Sequence, residues 1–303
     1  MRYTVECVPN FSEGRDEAKV QAIVEAVLDG KEVAVLDSTM DPDHNRSVIT
    51  LAGSPVGARD AALRAIGRAV ELIDLTHHSG VHPRIGAADV VPFVPLEGSS
   101  LNECAALAKF VASEAWVRYE LPTYLYGYAA QRPDRRNLET IRRGQFEGLR
   151  EEVKENPNRL PDFGVNSLHP SAGATAVGAR NFLIAFNINL KTTDAEKARS
   201  IARKVRASGG GLAEVKALGL FLPSRNLAQV SLNLADFRTT SLGAAFDAVE
   251  REAQVCGEEI LESELVGLIP QAALDGAPLR RMRIRGFNPD MILENRLQRC
   301  AGI

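Results

Sequence analysis

The chain of 303 residues is poor in several things that would have marked other classes of protein. Aromatic residues make up only 6%, with a single tryptophan, and the four cysteines (Cys7, Cys104, Cys256 and Cys300) show no Cys-x-x-Cys spacing. That scatter excludes a disulfide framework or a zinc ribbon and reads as free thiols in a reducing compartment. Positive charge is not in excess: 36 Lys and Arg face 39 Asp and Glu, a net charge of -3. Phosphate neutralisation needs a basic excess, so nucleic acid is not expected as a partner. No apolar run reaches 18 residues, and the opening stretch MRYTVECVPNFSEGRDE lacks an apolar signal region. Neither a membrane partner nor secretion is expected, which leaves the cytoplasm. Histidine is absent after His169, so proton transfer near neutral pH is expected in the first half of the chain.

What is present is an ordinary globular composition, 45% hydrophobic and 25% charged, long enough for two modest domains. Hydrophobic spacing in the first half predicts a strand at 3–8, a helix with Val20, Ile23, Val24 and Val27 on one face, and strands at 32–37 and 46–52. A helix bearing Leu63, Ile66 and Val70, a strand at 90–96, and a helix opened by a Ser100–Glu103 capping box follow. A strand at 124–128 and one charged helix at 136–155 complete this half. The second half repeats the order. Ile184, Phe186, Ile188 and Leu190 alternate with Asn187 and Asn189 in a half-buried strand. Thr193 and Glu196 suggest a capping box, strands are expected at 217–222, 229–234 and 259–269, and a helix carries Leu242, Ala245, Phe246 and Val249. Both halves fit βαββαβ. The expected fold class is therefore α/β (α+β), with two ferredoxin-like subdomains, 1–178 and 179–303, packed to enclose a substrate groove. The Pro-, Gly- and Ser-rich stretch 156–180 is expected to cross between them, and Asn187, Asn189, Gln229, Ser231 and Asn233 to line the open sheet face.

The densest chemistry lies in His77-His78-Ser79-Gly80-Val81-His82-Pro83-Arg84-Ile85-Gly86-Ala87-Ala88-Asp89. Gly80, Pro83 and Gly86 break any helix there, which removes the i, i+4 zinc geometry that His78 and His82 would otherwise offer. A loop of titratable groups between apolar segments suits binding or catalysis, although a lone loop histidine bonded to backbone is the common bland alternative. As an acid–base group, His82 would need an orienting partner, and Asp89, Asp41 and Asp37 are available. The turn Asp41-Pro42-Asp43-His44-Asn45-Arg46 mixes charges and amides, and reads equally well as a solvated Asx turn. The segment 173–178 resembles a phosphate loop only superficially, because Ala179-Arg180 replaces the lysine and hydroxyl pair.

Several stretches together resemble the glutamate formimidoyltransferase (formiminotransferase) family: VECVPNFSEG (5–14), DPDHNR (41–46), ELIDLTHHSGVHPRIGAADVVPFVP (71–95), YLYGYAA (124–130), DFGVNSLHPSAGATAVGARNFLIAFNINL (162–190) and NLAQVSLNLADF (226–237). The length is similar to the stand-alone transferase without a cyclodeaminase domain. The resemblance implies two α/β subdomains, a homodimer, tetrahydrofolate as co-substrate with no metal, and His82 as the catalytic histidine. It also implies that Gly164, Val165, Asn166, Ser167, Leu168, His169, Pro170, Ser171, Ala172 and Gly173 form the folate-binding segment. The turn departs from the animal enzymes, in which an acidic residue stands where this chain has Thr39; Asp37 or Asp41 is left to fill that role.

The reaction so implied moves a formimidoyl group from N-formimidoyl-L-glutamate to N5 of tetrahydrofolate. Asp37 or Asp41 would face the cationic formimidoyl group, and Arg46, Arg84 and Arg135 would be forks for the glutamate carboxylates. His44, Asn45 and Asp89 would support the loop, and Asn187 and Asn189 would hydrogen-bond pterin or substrate. Formyl transfer between 5-formyltetrahydrofolate and glutamate, a non-catalytic folate-binding protein, and a metal-dependent hydrolase are the competing readings.

Overall fold

A computed structural model describes residues 3–301 and divides the chain into two compact units, Met1–Arg180 and Asn181–Ile303, each α/β with its own hydrophobic core. The division falls two residues beyond the expected 178/179 boundary, because the last strand of the first unit continues to Ala179.

The first unit opens with β1 (Val5–Cys7) and β2 (Asn10–Phe11), followed by α1 (Glu17–Leu28), β3 (Val33–Asp41), β4 (Arg46–Gly53) and α2 (Pro55–Leu72). Then come β5 (Ala88–Pro95), α3 (Leu101–Tyr119), β6 (Thr123–Gly127), α4 (Leu138–Arg142), α5 (Gln145–Glu155) and β7 (Thr175–Ala179). Caps explain several helix starts. Asp16 accepts from Ala18 and Lys19 amides, Ser54 from Gly57, and Ser100 with Glu103 closes the capping box read from the sequence. The sheet is larger than the expected four strands. β4, β1, β2 and β5 pair antiparallel, with β3 beside β4; β7 then adds parallel to β5, and β6 parallel to β7.

Two expectations are corrected here. Residues 156–180 do not cross between units: Arg159 donates to the Thr140, Ile141 and Arg143 carbonyls, and β7 inserts between β5 and β6. The charged helix at 136–155 is two helices, because Gly144 (φ 82°) and Gln145 (φ 56°) take left-handed backbone that interrupts the ladder.

The second unit runs β8 (Ile184–Leu190), α6 (Ala195–Val205), β9 (Val215–Leu222), β10 (Leu227–Leu234), α7 (Leu242–Val255) and β11 (Ile260–Val266), then α8 (Gln271–Leu274), α9 (Leu279–Met282) and α10 (Leu293–Ala301). Its sheet is wholly antiparallel in the order β11-β8-β10-β9. Asp194, not Thr193, caps α6, accepting from the Glu196 amide. Phe186, Ile188 and Leu190 face Ile201, Val205, Phe246 and Val249 in the core. The alternate positions carry polar groups, as expected, but these are tied together. Asn189 accepts from Gln229 (2.9 Å) and donates to Glu262 (3.3 Å) and Glu264 (3.1 Å), while Arg225 bridges the same two carboxylates at 2.5 and 2.6 Å. Register explains the cluster, since Asn189 lies opposite both Gln229 and Glu262.

Phe186→Ala should lower unfolding free energy by about 3–5 kcal/mol, whereas Val255→Ala, at a 70% exposed position, should change it by less than about 0.5 kcal/mol. Denaturant titration checks both.

Candidate active site

Four motifs far apart in sequence meet in the first unit, at the end of β5 where the histidine loop joins the sheet. The loop is clamped to the turn between β3 and β4. The Val81 amide donates to the Asp43 carbonyl at 3.1 Å, Asn45 Nδ2 donates to the Ser79 carbonyl at 2.9 Å, and His78 Nε2 meets the Asn45 carbonyl at 2.9 Å. Gly80 is required there, because a Cβ would stand 2.3 Å from the His44 carbonyl oxygen. The N-terminal motif braces both pieces: Ser12 Oγ donates to the Gly86 carbonyl at 2.7 Å and the Gly14 amide to Asn45 Oδ1 at 3.0 Å. Asp41 shapes the turn by accepting the Asp43 and His44 amides at 2.9 and 2.8 Å, the Asx pattern. Asp37 sits at the β3 bulge opposite Thr50. Four residues along the strand separate it from Asp41, roughly 13 Å at 3.3 Å per residue, so it is not part of the turn.

The fourth motif is the expected folate segment. Its second half is zipped to the histidine loop: the Leu75 amide donates to Ser171, Ala87 to Ala172 and Ala174 to Ile85, at 2.8–2.9 Å. His169 closes this part upon itself, through paired backbone bonds with Gly173 and by accepting the Ala172 amide on Nδ1. Gly173 (φ 72°) packs so closely that a Cβ would lie 2.2 Å from the Ile85 oxygen. Leu168 and Ala172 are buried, whereas Gly164, Val165, Asn166, Ser167 and Pro170 are exposed.

Asp89 is the electrostatic centre. It is fully buried, and its Oδ1 accepts the Ile85 amide at 2.9 Å. Its Oδ2 accepts from Arg46 Nη1 at 2.6 Å and from Arg142 Nη2. Burial opposes its charge, but the Arg142 and Arg46 guanidiniums prevail and hold the carboxyl below its usual range. Burial brings Arg46 down to about 10, so it too is charged at neutral pH.

Around this cluster stands His82. Its Nδ1 lies 2.9 Å from the Pro83 carbonyl oxygen, which can only accept. Nδ1 therefore carries the proton in the neutral ring, and Nε2 holds the free lone pair. Burial first, then the positive charges of Arg46 and Arg142 and the neighbouring His44, push the imidazole well below its ordinary value. The His44 ring lies 5.8 Å from the His82 ring, centroid to centroid, and its buried Nε2 has no hydrogen-bond partner.

Three expectations need correction. Asp89 does not orient His82, being occupied by two arginines and the Ile85 amide; the Pro83 carbonyl holds the ring at Nδ1. Arg84 is no substrate fork: it is bidentate to Glu147 at 2.7 and 2.8 Å and donates Nε to His78 Nδ1 at 3.1 Å. That bond and the Asn45 carbonyl hold His78 as a neutral, structural ring. Arg135, 4% exposed, is bound to Asp162 at 2.6 Å and to the Leu160 carbonyl, and braces the 156–163 stretch. Asn187 and Asn189 belong to the second unit, where Asn189 is committed to its own network. Arg142 and Glu147 were missed, because a continuous helix at 136–155 would have presented them as solvated charges. The signal available was Gly144, whose break turns α4 toward Asp89 and α5 toward Arg84. Among the described residues no group of three or more His, Cys, Asp or Glu side chains is placed to hold a metal ion, and no helix is long and apolar enough to cross a membrane.

A two-unit α/β chain carries a buried arginine–carboxylate cluster beside a histidine whose Nδ1 is held by a backbone carbonyl. Family models for the formiminotransferase domain match it, the N-terminal subdomain over residues 4–180 and the following domain over residues 185–279. The chain belongs to the formiminotransferase family. It is similar to a glutamate formimidoyltransferase of Thermoplasma acidophilum (44% identity, 99% of both chains) and to one of Streptococcus pyogenes (42%, 98% of this chain and 99% of the other). It also matches a formimidoyltransferase-cyclodeaminase of Mus musculus at 45%, covering 91% of this chain and 52% of the mouse protein.

Asp89→Asn leaves two guanidiniums without a counter-charge and should cost about 3–5 kcal/mol in a urea titration at neutral pH. Because its folded carboxyl is depressed, the wild-type stabilisation should be complete above about pH 4 and fade only as pH falls toward the lower folded value.

Proposed function

We propose that the chain is a glutamate formimidoyltransferase, moving the formimidoyl group of N-formimidoyl-L-glutamate to N5 of tetrahydrofolate and releasing L-glutamate and 5-formimidoyltetrahydrofolate. The observation that carries this reading is the zipper between the 171–174 backbone and the histidine loop, which brings the expected folate segment against the loop that holds His82. The exposed arm Gly164–Ser167, with Pro170, would meet the folate, while Leu168, His169, Ser171, Ala172 and Gly173 hold that arm in place.

His82 begins as a neutral base with Nε2 free. As N5 attacks the formimidoyl carbon, N5 loses its proton to Nε2, and the C–N5 bond forms in a tetrahedral adduct. The imidazolium then returns that proton to the glutamate nitrogen, whose bond to carbon breaks. A lowered histidine value suits both steps: the ring is unprotonated at neutral pH, and once protonated it is a strong enough acid to serve a poor amine leaving group. Nδ1 stays bonded to the Pro83 carbonyl throughout, which stabilises the imidazolium without a carboxylate. The same reading has the enzyme act on small molecules in the cytoplasm as a homodimer. The four free thiols support that compartment, and light scattering at micromolar protein tests the assembly.

His82→Ala should lose roughly 10²–10⁴-fold in kcat, with tetrahydrofolate affinity unchanged within a few fold. Turnover near the wild-type rate would remove His82 from the proton path. The acid limb of wild-type kcat/KM should lie below pH 6.5, the usual histidine value, because activity needs the unprotonated ring and its folded pKa is lowered. A limb above pH 6.5 would contradict this.

A further inference from the structure

With Arg84 and Arg135 neutralised by Glu147 and Asp162, the cationic groups beside His82 are Arg46 and Arg142, and both share one oxygen of Asp89. Arg46 is further occupied, donating Nε to Asn10 Oδ1 at 3.0 Å. Arg142 differs. Its side chain is 13% exposed, and its Nε–H is buried with no hydrogen-bond partner. An N–H donor left unsatisfied in a buried site carries a desolvation cost that an incoming acceptor removes. One carboxylate between two guanidiniums also leaves a second anion favoured at the same place. From these observations we infer that Arg142 is a specificity residue, whose Nε–H receives one carboxylate of the amino-acid donor and seats its formimidoyl nitrogen near His82 Nε2. The inference rests on the transferase reading above. It replaces the arginines expected from sequence with one that only the break at Gly144 turns inward.

Arg142→Gln is compared with wild type using N-formimidoyl-L-glutamate and two neutralised donors, one amidated on the side-chain carboxyl and one on the α-carboxyl. Losing a charge-assisted hydrogen bond predicts a KM for the diacid raised about 10- to 100-fold. For one of the two amides the variant should differ from wild type by less than about threefold, because the interaction is already gone. Arg142→Lys, which keeps the charge and loses the planar fork, should raise the diacid KM less than Arg142→Gln, and serves if the glutamine variant does not fold. L-glutamate titrated calorimetrically should bind the variants more weakly than wild type. Equal shifts for all three donors, or a fall in kcat with KM and glutamate affinity unchanged, would overturn the assignment and leave Arg142 as a support for Asp89 alone. If wild type turns over none of the donors, the transferase reading fails, and the glutamate titration still decides whether Arg142 binds a carboxylate.

Discussion

The site depends on one buried carboxylate carrying more positive charge than it can neutralise. Asp89 is wholly removed from water and would be protonated by that burial if it stood alone. Arg46 from β4 and Arg142 from α4 keep it ionised, and it in turn holds both at the end of β5, while its second oxygen fixes the Ile85 amide. Burial first, and then the same positive charges, push His82 well below its ordinary value and keep its ring neutral. One ion cluster therefore locates the loop, couples α4 to the sheet and adds to the burial that keeps His82 neutral.

Around that cluster, rigidity comes from backbone more than from side chains. The histidine loop bonds to Asp43, Asn45, Ser12 and the 171–174 stretch. Glycines at 80 and 173 allow carbonyl groups to approach where a Cβ would collide. Such a loop is held in one conformation by its own hydrogen bonds, with little conformational freedom left to lose. Two titratable groups stay unsatisfied inside this frame, His44 Nε2 and Arg142 Nε. Unpaired buried polar atoms are costly, and these two stand close to the Asp89 cluster and the His82 ring.

Much of the fold was legible because periodicity survives without tertiary information. The alternation of Ile184, Phe186, Ile188 and Leu190, the Ser100–Glu103 capping box and the apolar faces of the long helices specify elements locally. Strand extension was less so: β3 runs on through Ser38–Asp41, because pairing with β4 sustains polar residues that no propensity favours. The insertion of β7 between β5 and β6 and the split of the charged helix were invisible for the same reason. Parallel pairing and helix breaks depend on partners distant in sequence.

Within the site, the sequence by itself determined the actors at short range: a histidine loop that cannot be helical, an Asx turn at Asp41, and a glycine-rich segment ending at Gly173. Glycine, proline and short polar side chains act on their own backbone, so their effect can be read in place. Only the tertiary structure decided the employment of each charge. Arg84, Arg135 and Arg142 are chemically identical, and what separates them is the carboxylate that burial brings to each: Glu147 and Asp162 in full measure, and Asp89 already shared. Long-range pairing sets that allocation, because the strength of a charge interaction depends on distance and desolvation, and neither is written along the chain.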